Sequence, residues 1–208
     1  TPIQLTIDRI KEKYSQKMEN NEKHNFEENL KIINNQINQI ENLVNEFSDF
    51  ARMPKPIFKN NNLIKIINDN IKFLSQVDPT IKLNFISNNS EILLESDKEQ
   101  INRVFLNLIK NSIESIQQKA ENYSNFDKII TIEIYEKNNQ IYIIIIDNGT
   151  GFGIYKNNVN EILNPYVTTK KNGTGLGLSI VNKIINDHNG KLNFIPIPDG
   201  AKVEVIFN

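Results

Sequence analysis

The chain has 208 residues, with 24 Lys and Arg against 25 Asp and Glu, so its formal net charge is −1. That balance speaks against a basic nucleic-acid binder or a polybasic membrane-surface protein. The absence of Cys removes disulfides, thiolate catalysis and Cys-based zinc sites, and two His are too few for an all-His metal centre. The longest apolar run, residues 141–146, is strand-sized and far short of a membrane span. Neither nucleic acid nor a membrane is expected as a partner of this region. Ile and Asn each make up about a sixth of the chain, far above ordinary usage, as AT-rich coding would produce. The first residue is Thr and no signal peptide follows, so the chain reads as a piece of a longer protein.

In chain order, Pro2 suits a first helical turn, and Ile3, Ile7, Ile10 and Tyr14 keep helical spacing. The polar stretch 19–25, which contains His24, reads as the turn of a hairpin. Phe26, Leu30, Ile33, Ile37, Ile40, Val44, Phe47 and Ala51 then recur at alternating steps of four and three, a heptad seam unbroken by Gly or Pro. Two helices bury little by themselves, so a second copy completing a four-helix bundle is expected. The alternative is packing against the rest of the same chain. Pro54-Lys55-Pro56 stops the helix and forms a short, stiff linker. The predicted organisation is a helical hairpin over 1–53, a linker over 54–56 and a second domain over 57–208.

In that second domain, residues 63–74 read as a helix and 81–86 alternate as a strand. Asp97 has the chemistry of an N-cap for a long helix through Ile101, Val104, Phe105, Leu108, Ile109, Ile113 and Ile116. Strands over 129–135 and 141–146 are joined at Asn138-Asn139, and a Gly- and Asn-rich loop runs from 149 to 173. A helix from Gly175 to about His188, capped by Asn189-Gly190, precedes strands over 192–195 and 203–207. The fold class is α+β: a mixed, antiparallel-rich sheet with helices on one face.

Three motifs carry chemistry. Asn107 and Asn111 are four residues apart in the long helix, so both amides project from one face, where carbonyl oxygens can hold Mg²⁺ beside water and phosphate. Two scattered Asn residues in an Asn-rich chain are the plain alternative. Asp147-Asn148-Gly149-Thr150-Gly151-Phe152-Gly153 leaves a strongly apolar strand. Its carboxylate can accept from an adenine amino group while the glycines let backbone approach the ring; a simple turn is the alternative. Gly173-Thr174-Gly175-Leu176-Gly177-Leu178 opens a helix, exposing N–H groups and a favourable dipole end to polyphosphate. It lacks the Lys-Ser/Thr of a Walker loop.

Taken together and in this order, these motifs resemble the N, G1 and G2 boxes of the ATP-binding domain of sensor histidine kinases, in the superfamily that includes gyrase, Hsp90 and MutL. Residues 164–170 (Asn-Pro-Tyr-Val-Thr-Thr-Lys) are similar to the F box, with Tyr166 in place of the usual Phe. Residues 45–56 and the opening Thr-Pro-Ile-Gln-Leu are similar to the dimerisation hairpin of nitrogen-regulation sensors of the NtrY type.

The resemblance implies ATP and Mg²⁺ as cofactors. Asn111 would ligate the metal, Asn107 would support metal and phosphates, and Asp147, Gly149 and Gly151 would surround the adenine. Lys170, Thr174, Gly175 and Gly177 would close on the phosphates as a lid, with Thr169, Gly173 and Leu176 in the same binding segment. Many relatives carry a basic residue where this chain has Glu114, so Lys110 or Lys170 would take over that phosphate contact. Asn107 also stands where the superfamily's ATPases place a water-activating Glu, which favours transfer to a histidine over hydrolysis.

The same resemblance places a phosphoacceptor His just before Thr1. His24 reads as a solvated surface residue and His188 as a cationic or capping residue at a helix end. The chain is therefore expected to bind ATP, to dimerise and to phosphorylate a longer subunit in trans, but not itself. A nucleotide-binding dimerisation module without catalysis is the alternative, and a water-activating ATPase a more distant one. The implied partner is a response-regulator receiver domain of the NtrX type. The implied parent sits in the bacterial inner membrane, with this region soluble in the cytoplasm.

Overall fold

The computed structural model describes residues 2–15, 20–123, 125–153, 155, 158–168, 170 and 173–208. By its internal contacts the chain divides into two compact units. One comprises Thr1–Met53 with Lys170–Thr174, the other Pro54–Thr169 with Gly175–Asn208.

The first unit is built on two helices, α1 (Pro2–Ser15) and α2 (Asn20–Ala51). The polar stretch expected to form the turn is mostly helical, because α2 already begins at Asn20. His24 therefore lies in its early turns, exposed, with Nε2 3.6 Å from Glu28 Oε1. Polar contacts tie the pair together: Gln4 Nε2 donates to Asn38 Oδ1 at 2.8 Å, and Ser15 Oγ to Glu27 Oε1 at 2.7 Å. The Ser15 bond holds the Glu27 carboxyl below its ordinary value. Among the described apolar side chains of this unit only Ile7 and Leu30 are buried, while Ile33, Ile40, Val44 and Phe47 of the heptad seam remain exposed.

The second unit contains β1 (Lys59–Asn62), α3 (Leu63–Leu74), β2 (Lys82–Ser87), β3 (Leu93–Ser96) and α4 (Lys98–Asn122). After these come β4 (Ile129–Lys137), β5 (Gln140–Asp147), a 3-10 turn (Val159–Leu163), α5 (Gly177–Asp187), β6 (Lys191–Pro196) and β7 (Ala201–Phe207). Five strands form one sheet in the order β2-β4-β5-β7-β6, parallel between β2 and β4 and antiparallel elsewhere. Helices α3, α4 and α5 cover one face. Alternate residues of the strands, among them Ile130, Ile132, Ile134, Ile143, Ile145, Val205 and Phe207, meet Ile101, Phe105, Ile109, Ile116, Val181 and Ile184 in a closed core. This is the period-two pattern of a sheet buried on one side.

The β4–β5 hairpin turns at Asn138 and Asn139, both left-handed at φ 53° and 61°, which small amide side chains tolerate. Asp97 caps α4 as expected, accepting from the N–H groups of Glu99 and Gln100 at 3.0 and 3.1 Å. Its other oxygen accepts from Ile57 N–H at 2.8 Å, and Gln100 Nε2 donates to Pro54 O at 2.9 Å, so the chain after Pro54 is strapped to the start of α4. Burial by itself would raise the Asp97 pKa, but these three backbone N–H bonds outweigh it and hold the carboxyl below its ordinary value.

Two expectations change here. The short antiparallel pair β1–β3 was not anticipated: its first strand is the polar run Lys-Asn-Asn-Asn, held by pairing with Leu93–Ser96 rather than by an apolar face. Helix α5 starts at Gly177 rather than Gly175, because Gly175 takes φ 71° and cannot continue a right-handed helix.

His188, expected as a cationic or capping residue at a helix end, stands at the C-cap of α5. It is 7% exposed, its Nδ1 bonds Ile184 O of the last turn at 2.8 Å, and its Nε2 accepts the Asp97 N–H at 3.0 Å, so it caps the helix as a buried ring.

Candidate functional site

Strand β5 delivers Asp147 to the edge of the core, where it is 4% exposed. A carboxylate survives there because both oxygens are hydrogen-bonded. Ser112 Oγ, from α4, donates to Oδ2 at 3.0 Å, and the Gly149 N–H donates to Oδ1 at 3.0 Å. Each carboxylate oxygen can accept more than one hydrogen bond, so the arrangement suits recognition of an amino group on a ligand.

The following loop lies hard against α4. A Cβ on Gly149 would fall 2.6 Å from the Ser115 carbonyl carbon, so backbone meets backbone there. Ser115 Oγ accepts from Thr150 N–H at 3.0 Å and fixes the next residue. Beside the loop opens a cavity of ≈ 490 Å³, walled by Lys119 of α4 and Tyr123 just past its end, by Phe152 and by the turn between β6 and β7.

Further toward the N-terminus of α4, Asn107 is oriented by its own helix: Nδ2 donates to Arg103 O at 2.9 Å. Its Oδ1 then faces α5, where a Cβ on Gly177 would lie only 2.9 Å away. Glycine at that position is what lets the first turn of α5 sit against the asparagine. Asn111, half-buried, lies one turn on along the same face of α4.

Leu176 occupies the cap position of α5 and makes no side-chain cap hydrogen bond to the N–H groups of the first turn. Gly175 O accepts from Tyr166 N–H at 3.1 Å, joining the predicted F box to the glycines; Tyr166 itself takes φ 68°. Lys110, 65% exposed, stands 3.9 Å from Glu114.

The second unit thus sets Gly177 against Asn107, and Asp147 and Gly149 against Ser112 and Ser115, all along α4; Lys110, Asn111, Gly151, Gly175 and Leu176 belong to the same unit. Lys170, Gly173 and Thr174 belong to the first unit, where Thr174 Oγ1 donates to Glu46. Thr169 lies outside the described residues. Ser112, Ser115 and Lys119 were missed by sequence reasoning. Their contacts to the loop span roughly thirty residues of sequence and left no local signal.

Residues 96–208 match the family described as "Histidine kinase-, DNA gyrase B-, and HSP90-like ATPase". Over 209 residues, 100% of this chain, the sequence is 34% identical to a putative sensor histidine kinase NtrY-like of Rickettsia prowazekii (strain Madrid E), covering 33% of that protein. It is 31% identical over 210 residues to the nitrogen regulation protein NtrY of Azorhizobium caulinodans, covering 96% of this chain and 25% of that protein. The chain spans about a third or less of the length of these relatives.

Among solved structures, the catalytic domain of histidine kinase ThkA superposes with a TM-score of 0.62 at 26% identity, over 73% of this chain and 95% of that one. Histidine kinase ThkA in complex with response regulator protein TrrA gives 0.72 at 21% identity, over 100% of this chain and 57% of that one, a likeness of fold. The chain belongs to the histidine kinase-, DNA gyrase B- and HSP90-like ATPase family, and within it is related to the sensor histidine kinases of the NtrY type.

Proposed function

We propose that this chain is the kinase core of a two-component sensor, binding ATP with Mg²⁺ and passing the γ-phosphate to a histidine, from which a response-regulator aspartate of the NtrX type receives it. The observation that carries the reading is the buried Asp147 carboxylate, held by Ser112 and Gly149 beside a helix that presents Asn107 and Asn111 on one face. Asp147 would read the adenine amino group, with Gly149 and Gly151 against the ring. The start of α5, with Gly177 in its first turn, would face the phosphates. Lys170, Thr174 and their neighbours would close over them as a lid.

Asn111 would hold Mg²⁺ through its amide oxygen with support from Asn107, and the bound metal would neutralise phosphate charge during transfer. Asn107 has no group that takes a proton at neutral pH, which supports transfer over hydrolysis. Neither histidine of the chain suits the acceptor role. His188 is buried with both ring nitrogens engaged, and His24 sits on an exposed face against Glu28. The acceptor is therefore on another segment or subunit.

The exposed seam Ile33, Ile40, Val44 and Phe47 supports a homodimer through the hairpin. No helix among the described residues is long and apolar enough to cross a membrane; the parent protein would be anchored elsewhere, with this region in the cytoplasm.

Mixing the chain with γ-labelled ATP and a longer subunit whose own nucleotide site is disabled tests the reading. Acid-labile label on that subunit is expected, and is lost with Asn111→Ala. ATP binding without any labelled histidine would favour the alternative, a nucleotide-binding dimerisation module.

A further inference from the structure

The Asn148–Gly149 peptide is held at both ends. Its N–H donates to the Asp147 carboxylate at 3.0 Å, and its carbonyl accepts from Lys119 Nζ at 2.8 Å. Lys119 is only 17% exposed at its side chain and is paired on its other side with Asp199, in the turn between β6 and β7. The Asn148 side chain braces the same residue by accepting from Ile129 N–H at 3.0 Å and donating to Asp127 O.

Beside Asp199 the turn presses on the loop through Gly200. With φ 109°, this glycine sits so close that a Cβ would lie 1.8 Å from the Asp147 carbonyl oxygen. The Gly200 carbonyl oxygen in turn lies 2.6 Å from where a Cβ of Gly151 would be.

We infer that Lys119, seated by Asp199, is a positioning residue for nucleotide recognition: it fixes the orientation of the Asn148–Gly149 peptide and through it the Asp147 carboxylate. A peptide can flip its carbonyl and N–H together with little movement of its neighbours. A flip here would turn the Gly149 N–H away from Asp147 and swing the carboxylate out of place. The ammonium opposes that flip, because a carbonyl rotated away would leave a largely buried cation short of an acceptor. Gly200 limits the same motion by contact from the β7 side. This assignment deepens the nucleotide-binding reading and rests on it for the ligand.

The test measures two things on the whole chain: amide hydrogen exchange of Gly149 without nucleotide, and equilibrium affinity for ATP and GTP. Lys119→Met is expected to speed Gly149 exchange about tenfold and to weaken ATP by about tenfold, as loss of a hydrogen bond to a charged group implies. It should also narrow the preference for ATP over GTP, with Lys119→Arg restoring most of each. Asp199→Ala, at an exposed side chain (73%), keeps the Lys119–Asn148 bond and is expected to give a smaller change in the same direction.

Unchanged Gly149 exchange in a folded Lys119→Met, or in Asp199→Ala if the first variant does not fold, overturns the positioning role. Faster exchange in a chain whose wild type binds no ATP leaves the brace standing and overturns its purpose in nucleotide recognition. Faster exchange with unaltered ATP affinity overturns that purpose as well.

Discussion

The two units of this molecule are built from the same Ile-rich composition and end in opposite states. The sandwich hides its isoleucines: Ile130, Ile132, Ile143, Ile109, Ile116 and Ile184 are at most 1% exposed. The hairpin shows them: Ile33 is 46% and Ile40 60% exposed. Even its polar interior is incomplete, since Asn34 Oδ1 and Glu41 Oε1 are buried without a hydrogen-bond partner among the described residues. A sheet plus three helices closes a core by itself, whereas two helices offer only one mutual seam and leave the other stripe to a partner. Composition is thus a poor guide to which unit stands alone, and topology a good one.

The largest expected effect breaks that comparison at the core. Phe105→Ala removes a fully buried ring of α4 and should cost the sandwich about 3–5 kcal/mol in urea unfolding. Phe47→Ala, at 49% exposure on α2, should change unfolding by less than about 0.5 kcal/mol while weakening self-association. Equal costs at the two positions would mean that the hairpin possesses a core of its own.

Next, Gly200→Ala places a methyl group into the Asp147 carbonyl and forces a side chain to φ 109°. A loss of about 3 kcal/mol is expected in the same assay. On the hairpin, Ile40→Glu with Val44→Glu should weaken dimerisation by at least about 2 kcal/mol in sedimentation equilibrium, with the sandwich melting unchanged.

Smaller again is the strap at the start of α4. Asp97→Ala should cost about 1 kcal/mol, as loss of an N-cap does. Because the folded Asp97 carboxyl is held below its ordinary value of 3.8, its contribution is fully present above that pH. It fades as pH falls through the folded value. Acid unfolding followed from pH 6 downward should therefore show a wild-type advantage over Asp97→Ala that shrinks below pH 4.

Much of the sandwich was legible in the sequence because its signals are local. Asp97 caps the next turn, Asn138-Asn139 takes the left-handed turn its amides allow, and the strand over 141–146 alternates or runs apolar as a half-buried strand must. What was not legible depends on distant partners. The polar strand Lys59–Asn62 exists only by pairing with Leu93–Ser96. His188 caps α5 as its position suggests, but its second contact, to the Asp97 N–H ninety-one residues away, left no trace in the local sequence.

The site divides the same way. Asp147 and its glycines announce themselves, whereas Ser112, Lys119, Asp199 and Gly200 gain meaning only when α4 and the β6–β7 turn close on the loop. The Asp199-Gly200 dipeptide carried a signal, but for a turn rather than for support of Asp147.

The central claim, that Asp147 anchors a nucleotide at the end of β5, is tested most directly by calorimetric titration of Mg–ATP into the wild-type chain and into Asp147→Asn. Saturable binding to the wild type that prefers ATP over GTP is expected, weakened at least about tenfold in the variant, as loss of a charged acceptor implies. Equal affinity of both chains for ATP, with both folded, would contradict it.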